Sequence, residues 1–239
     1  MTLLKAINGN ASLAERVADQ LLELIINQNL ARGQKIPNEF ELAKQLNVGR
    51  GTVREAVKLL VSRNILEIRR GKGTYVTERP GVSSDPLGLA FYKDKIKLAS
   101  DLIDIRVILE PQIAFLAARN ATNEEIEEMR GLCSKIEELA HQNEDYNELD
   151  VKLHTVIAES TRNTVMPNLI PVITNGISLY NSLPRYTERL KAIQVHREII
   201  DAISNHEPER ASDAMFRHLQ FNRRYLDELM ANYRNNDNK

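Results

Sequence analysis

Five side chains beyond residue 100 have types that could build a binding centre: Asp150, His154, His196, His218 and Arg106. Asp150 and His154 are one helical turn apart and share a face, and Tyr146, Leu153 and Ile157 on the same side point that face inward. His196 is in line with Ile193, Ile200 and Ile203, and His218 with Met215, Phe221 and Tyr225. Imidazole and carboxylate groups suit a divalent ion of the Zn, Ni or Mn type. The plainer use of a core histidine is a hydrogen bond inside the core, but three of them with an acid one turn before the first favour a shared site. Four protein ligands on an octahedral ion would leave positions for water or for a ligand carboxylate. Arg106 falls on the stripe Leu102, Arg106, Leu109, Ile113. A guanidinium there needs an anion, either the carboxylate of a bound small molecule or Glu110 one turn on. His141 and His206 lie at helix ends among polar neighbours and read as surface residues.

The elements that must carry these residues are helical. From residue 87 onward only helix-period patterns appear: a short one at 87–92, then 98–119, 123–142 opened by the capping box Thr122-Asn-Glu-Glu125, 145–161, 166–183, 187–204 and 208–232. The front of the chain is different. Helical patterns at 12–28, 39–45 and 50–63, with the tight turn Asn47-Val48-Gly49, are followed by short β-favouring runs at 65–69 and 74–77. Between these runs Arg70-Gly-Lys-Gly73 has the composition of a hairpin turn. Helix, helix, turn, helix, hairpin predicts a winged helix-turn-helix over 1–79. Two prolines, a glycine and two serines make 80–86 a linker, and 87–239 is expected to be an all-α bundle.

Charge separates the same two parts. Residues 1–79 hold 13 Lys/Arg against 8 Asp/Glu, a net of +5, whereas 80–239 hold 19 against 25, a net of −6. Arg50, Arg54, Lys58, Arg63, Arg69, Arg70 and Lys72 face only Glu55 and Glu67 in their stretch, so the front is the part suited to a polyanion. No apolar run is long enough for a membrane span and the start has no signal-peptide core. A lone Cys133 fits a reducing compartment, so a cytoplasmic protein is expected, near the nucleoid when bound to DNA.

The run Lys35-Ile-Pro-Asn-Glu-Phe-Glu-Leu-Ala-Lys-Gln-Leu-Asn-Val-Gly-Arg-Gly-Thr-Val-Arg-Glu-Ala-Val-Lys-Leu-Leu, with the wing Ile65-Leu-Glu-Ile-Arg-Arg-Gly-Lys-Gly-Thr-Tyr-Val76, resembles the GntR superfamily of transcription regulators. A recognition helix turns its N-terminal residues toward base edges in the major groove. Arg50, Thr52 and Arg54 occupy that place, and Arg can fork onto guanine O6 and N7. In the wing, Gly71 and Gly73 allow close approach while Arg70 and Lys72 bring charge, and the resemblance implies that the tip probes the minor groove. Two positions depart from the pattern: Gly49 replaces a usual Ser or Thr, and Phe40 stands where many members have a DNA-contacting Arg.

Behind the wing, Asp101-Leu-Ile-Asp-Ile-Arg-Val-Ile-Leu-Glu110, Asp150-Val-Lys-Leu-His154, Val195-His-Arg-Glu-Ile-Ile-Asp-Ala-Ile203 and Met215-Phe-Arg-His-Leu219 resemble the FadR-like branch with a metal-binding helical ligand domain. That resemblance implies about one ion per chain on Asp150, His154, His196 and His218; Arg106, from its inward stripe, is expected to clamp an effector carboxylate, with Glu110 as its alternative partner. It also implies a homodimer on two-fold-related half-sites of double-stranded DNA. The function expected is a regulator, in most cases a repressor, whose operator affinity responds to a hydroxy acid or sugar acid. A regulator in which the metal itself is the signal is a second reading. A metal-dependent hydrolase would need a general base; Glu110 and Glu159 are available, but no motif marks them. The chain is expected not to be an enzyme.

Overall fold

Ser12 opens the first helix, α1 (Leu13–Asn27), through a reciprocal cap in which its hydroxyl accepts from the Glu15 N–H and the Glu15 carboxylate accepts from its own N–H. The computed structural model describes residues 11–83, 85–174 and 186–237, and the chain divides into two units with the boundary between Pro86 and Leu87.

In the first unit, α1 buries Val17, Ala18, Leu21 and Ile25 in one core with Val53, Ala56, Val57 and Leu60 of α3 (Arg50–Ser62). Between them α2 (Glu39–Leu46) is capped by Asn38, whose Oδ1 accepts from the N–H groups of Phe40 and Glu41. It ends at Asn47 in the left-handed region, φ 52°, which Asn tolerates better than most residues. Strands β1 (Leu66–Arg69) and β2 (Gly73–Val76) pair antiparallel, Leu66 opposite Val76 and Arg69 opposite Gly73. Gly71, at φ +71°, gives the three-residue tip a conformation that a side chain would strain.

The second unit consists of α4 (Lys95–Asn120), α5 (Asn123–His141), α6 (Asn147–Glu159), α7 (Met166–Thr174), α8 (Tyr186–Ser204) and α9 (Pro208–Asp237), with α4 at the centre of most of the packing. Helix α4 packs on α6, α7, α8 and α9. Ile113, Ala114, Ala117 and Ala118 of α4 meet Ile126, Met129, Ile136, Leu153, Ile157, Ile199, Ile203 and Met215 in one core. Helix α4 continues through Pro111, which withholds an N–H from the turn carrying Val107.

Two expectations need correction. The 87–92 pattern yields only a 3-10 turn at Leu89–Phe91, because Gly88 (φ 65°) and the extended Tyr92 stop it on both sides and it buries no side chain. Helix α4 starts before residue 98 because the Asp94 carboxylate caps it, accepting from the Lys97 N–H. The front of the 80–86 linker is tied to the first unit: Gly81 N–H donates to Asn64 O at 3.0 Å, and the Asn64 amide donates to the carbonyls of Arg79 and Val82. The pattern at 166–183 is helical to Thr174, and its remainder lies outside the described residues.

A buried histidine cluster and an exposed recognition helix

Helices α6, α8 and α9 each turn one histidine toward the same point. The ring centroids of His154 and His218 are 5.4 Å apart, those of His196 and His218 4.4 Å, and those of His154 and His196 5.8 Å. One ring nitrogen from each lies within 4.8 Å of the others. Asp150 joins them from one turn before His154, its Oδ1 3.4 Å from His196 Nε2 and 4.0 Å from His154 Nε2. All four are buried.

Helix α4 supplies a second layer. Arg106, with 0% of its surface exposed, donates from Nε to Glu110 Oε1 at 2.5 Å and from Nη2 to Oε2 at 3.5 Å. Its Nη2 is also 3.5 Å from His154 Nε2. The other face of His154 meets Glu110, Nδ1 to Oε2 at 2.6 Å, with the oxygen off the ideal N–H axis. Burial pushes the Glu110 carboxyl up, but Arg106 and His154 outweigh it and leave it at about 2, so it is a carboxylate. The open choice for the Arg106 anion is thus answered in part: Glu110 takes the Nε side of the guanidinium.

His196 bears the mark of an absent partner. Both of its ring nitrogens are buried without a hydrogen bond, a cost of roughly 1–3 kcal/mol for each such group. Burial, against the pull of Asp150, pushes its pKa down to about 4, so the ring is neutral at pH 7. A neutral imidazole with a bare nitrogen is the form that ligates a metal, and the donor set fits a divalent ion. Asn222 adds a contact that periodicity did not reveal, its Nδ2 3.3 Å from His218 Nε2.

In the first unit, Arg50 and Arg54 are exposed on α3 and Thr52 is half-buried beside them. Gly49 caps α3 with extended backbone and no side-chain bond, so the helix start keeps uncapped N–H groups of the kind that bind phosphate. Arg70, Gly71 and Lys72 form the exposed tip of the wing. Arg69 lies over the Tyr75 ring at 4.3 Å, and Tyr75 Oη donates to Lys72 O at 3.2 Å, so the hairpin is braced from its own side chains. Glu39, which the sequence reading passed over, binds Arg54; the contact joins two helices, and no local pattern announces it.

A recognition helix with a hairpin wing, continued by an all-α bundle, defines the class of DNA-binding transcription regulators. Residues 13–76 match the bacterial regulatory proteins of the gntR family, and residues 101–221 match the FCD domain. A solved Streptococcus agalactiae GntR structure superposes with a TM-score of 0.78 at 42% identity, over 88% of this chain and 99% of that one. The putative L-lactate dehydrogenase operon regulatory protein of Escherichia coli is 31% identical over 87% of this chain and 84% of its own. The Uxu operon transcriptional regulator of the same organism is 31% identical over 86% and 83%.

The chain belongs to the GntR family and carries an FCD domain: it is a DNA-binding transcriptional regulator and not an enzyme. Among the described residues no helix is long and apolar enough to cross a membrane.

Proposed function

We propose that the second unit senses a small carboxylate at a metal site and that this sets the affinity of the first unit for its operator. The convergence of His154, His196 and His218 on one point, with Arg106 alongside, is the observation that carries the reading. Asp150, His154, His196 and His218 would hold about one Zn-, Ni- or Mn-type ion per chain. When bound, such an ion supplies a Lewis acid for one carboxylate oxygen of the effector. Arg106 supplies a fixed cation beside it, held in orientation by Glu110. A hydroxy acid or sugar acid carries the matching carboxylate with additional oxygens. The lactate and Uxu operon regulators among the relatives give that class its first candidates.

On DNA, Arg50, Thr52 and Arg54 would enter the major groove while Arg70, Gly71 and Lys72 follow the adjacent minor groove. Residues 1–79 are then the reader and 87–239 the sensor, acting in the cytoplasm, where the operator is. The reader grasps only a short half-site, so the working form is a homodimer. Ile105 and Ile108 on α4, the latter 68% exposed, give the bundle an apolar face for a second copy. Repression is the sign expected.

The test is operator release. A duplex selected from a random-sequence pool is bound to the full chain with Zn²⁺ or Mn²⁺, then titrated with lactate, hexuronates and aldonates. Release by one carboxylate that requires metal supports the reading. Release by metal alone would make the ion the signal, and indifference to every carboxylate would end the proposal.

A further inference from the structure

The α2 start and the α3 recognition helix are joined by one ion pair. Glu39, the first residue of α2, accepts from Arg54 Nε at 3.1 and 3.3 Å on its two oxygens and from Arg54 Nη2 at 2.9 Å. Both partners are anchored at their bases. Asn38 caps α2 and in return donates its backbone N–H to the Glu41 carboxylate at 3.0 Å, which fixes the turn that presents Glu39. Val53 and Val57 on either side of Arg54 are locked in the core. The Arg54 side chain nevertheless stays 57% exposed, and Glu39 is 34% exposed. Arg50, one turn earlier on the same helix, forms no ion pair among the described residues.

We propose that Glu39 is a positioning residue for base reading, holding the Arg54 guanidinium side-on so that its outer edge is offered to a guanine in the major groove. This rests on the reading of Arg54 as a groove residue. A guanidinium has five N–H donors in a rigid fork. Glu39 takes the Nε–H and one Nη2–H. The two Nη1–H groups and the second Nη2–H remain, and that end of the fork is the shape that fits O6 and N7 of guanine. An Arg tethered this way has fewer side-chain states to lose on docking and fewer bases it can reach. Glu39 also places a carboxylate beside the DNA surface, where it repels phosphate. It therefore lowers affinity for any sequence that does not repay the approach with a base contact, which is how a repulsive group raises specificity.

The rival role for Glu39 is structural: an acid in the first turn of a helix stabilises the positive end of its dipole. That role affects melting and leaves base preference untouched, so the experiment reads preference. Full-length protein is bound to a random-sequence duplex pool, the bound fraction is sequenced, and affinities are measured for the selected duplex and its single-base-pair variants. Arg54→Ala is expected to erase the preference at one G·C pair in each half-site. Glu39→Ala should reduce the preference at that same pair by roughly fivefold or more, with affinity for random duplex equal or higher. Glu39→Gln, which keeps one acceptor oxygen and the helix start, should fall between. In the Arg54→Ala background, Glu39→Ala should change no preference. Thermal melts of each variant check folding. Preference retained at that pair in Glu39→Ala, or altered equally with and without Arg54, overturns the positioning role alone. An Arg54→Ala variant with every preference intact overturns the groove assignment, and the positioning role with it.

Discussion

The carboxylate of Glu110 binds two partners at once: His154 Nδ1 lies 2.6 Å from its Oε2, and Arg106 Nε donates to its Oε1 at 2.5 Å. One buried acid thus turns the His154 ring so that Nε2 faces Asp150, and balances the guanidinium beside it. Partners of this kind orient metal-binding imidazoles and fix which nitrogen is available.

Glu110→Gln should expose both tasks. It leaves Arg106 buried without a full counter-charge, and breaking a buried pair from one side costs about 3–5 kcal/mol. The urea midpoint of chelator-treated protein should fall accordingly. The affinity for Zn²⁺ or Mn²⁺ should drop by about 10- to 100-fold, read by competition with a chromogenic chelator. Unchanged values in both measurements would make Glu110 a bystander.

The proposed metal is tested on the residues that would hold it. Gently purified protein should hold about one ion per chain by elemental analysis, and added Zn²⁺ should raise the melting temperature of chelated protein. At a free concentration of about 100 times the dissociation constant the gain is about 2.7 kcal/mol. His196→Ala and His218→Ala should each lose both the ion and the Zn²⁺-dependent shift. His196→Ala also removes two buried nitrogens that lack partners, so its metal-free form should lose less stability than a core truncation of similar size. A protein that purifies bare and ignores added metal would leave three structural histidines and no site.

Much of this was legible in the chain because it depends on period and capping. The inward stripes at His154, His196 and His218 follow from helical spacing, and Thr122 opens its helix with the capping box its sequence announces, while the box at Asn38 emerged only in the structure. The end of the helical pattern at 63 agrees with α3, which closes at Ser62 and Arg63 just before the left-handed Asn64, φ 52°. What stayed hidden was pairing across elements. Nothing local ties Glu39 to Arg54 or Asn64 to Arg79, because each contact exists only after two segments have packed. Glu110 was visible as a partner for Arg106 at helical spacing, but its second contact, with His154 on α6, was not. The 87–92 pattern misled for the opposite reason: its apolar residues resemble a helix face, yet Leu87, Phe91 and Tyr92 stay exposed and only Leu89 packs, partly buried, against the bundle core.

Cys133 offers a probe of the bundle that is independent of the site. Burial, with the charge of Glu137 adding to it, pushes its thiol up to about 11. At pH 8 only about one thiol in a thousand is then ionised, and the thiolate is the reactive form. Native protein should react slowly with a thiol reagent and quickly in urea. The sign of the linkage follows: a folded pKa above the unfolded one gives stability that is whole below about pH 9 and is lost as pH rises toward 11. The urea midpoint should therefore fall more steeply between those values in wild type than in Cys133→Ala. Fast native labelling at pH 8 would mean that α5 is open there.

The effector clamp is tested by Arg106→Lys. Arg106 is fully buried, its Nε side is committed to Glu110, and its Nη2 reaches 3.5 Å from His154 Nε2. A carboxylate held there could place one oxygen on the metal and another on the guanidinium. Lysine preserves the charge, so Glu110 keeps a counter-ion, but it lacks the planar fork that holds both Glu110 and a ligand. Release of the operator by the active carboxylate should need about tenfold or more of it in Arg106→Lys, the loss expected for one charge-assisted hydrogen bond of about 1.5–3 kcal/mol. Affinity for DNA without effector should change little, because the substitution lies outside the DNA-binding unit. Metal content should also hold, since Arg106 is not a ligand, and measuring it separates a lost clamp from a lost ion. An equal response in both proteins would remove Arg106 from the effector site. Release driven only by a neutral or cationic compound would reject the carboxylate and leave the Arg106–Glu110 pair as a purely internal brace for His154.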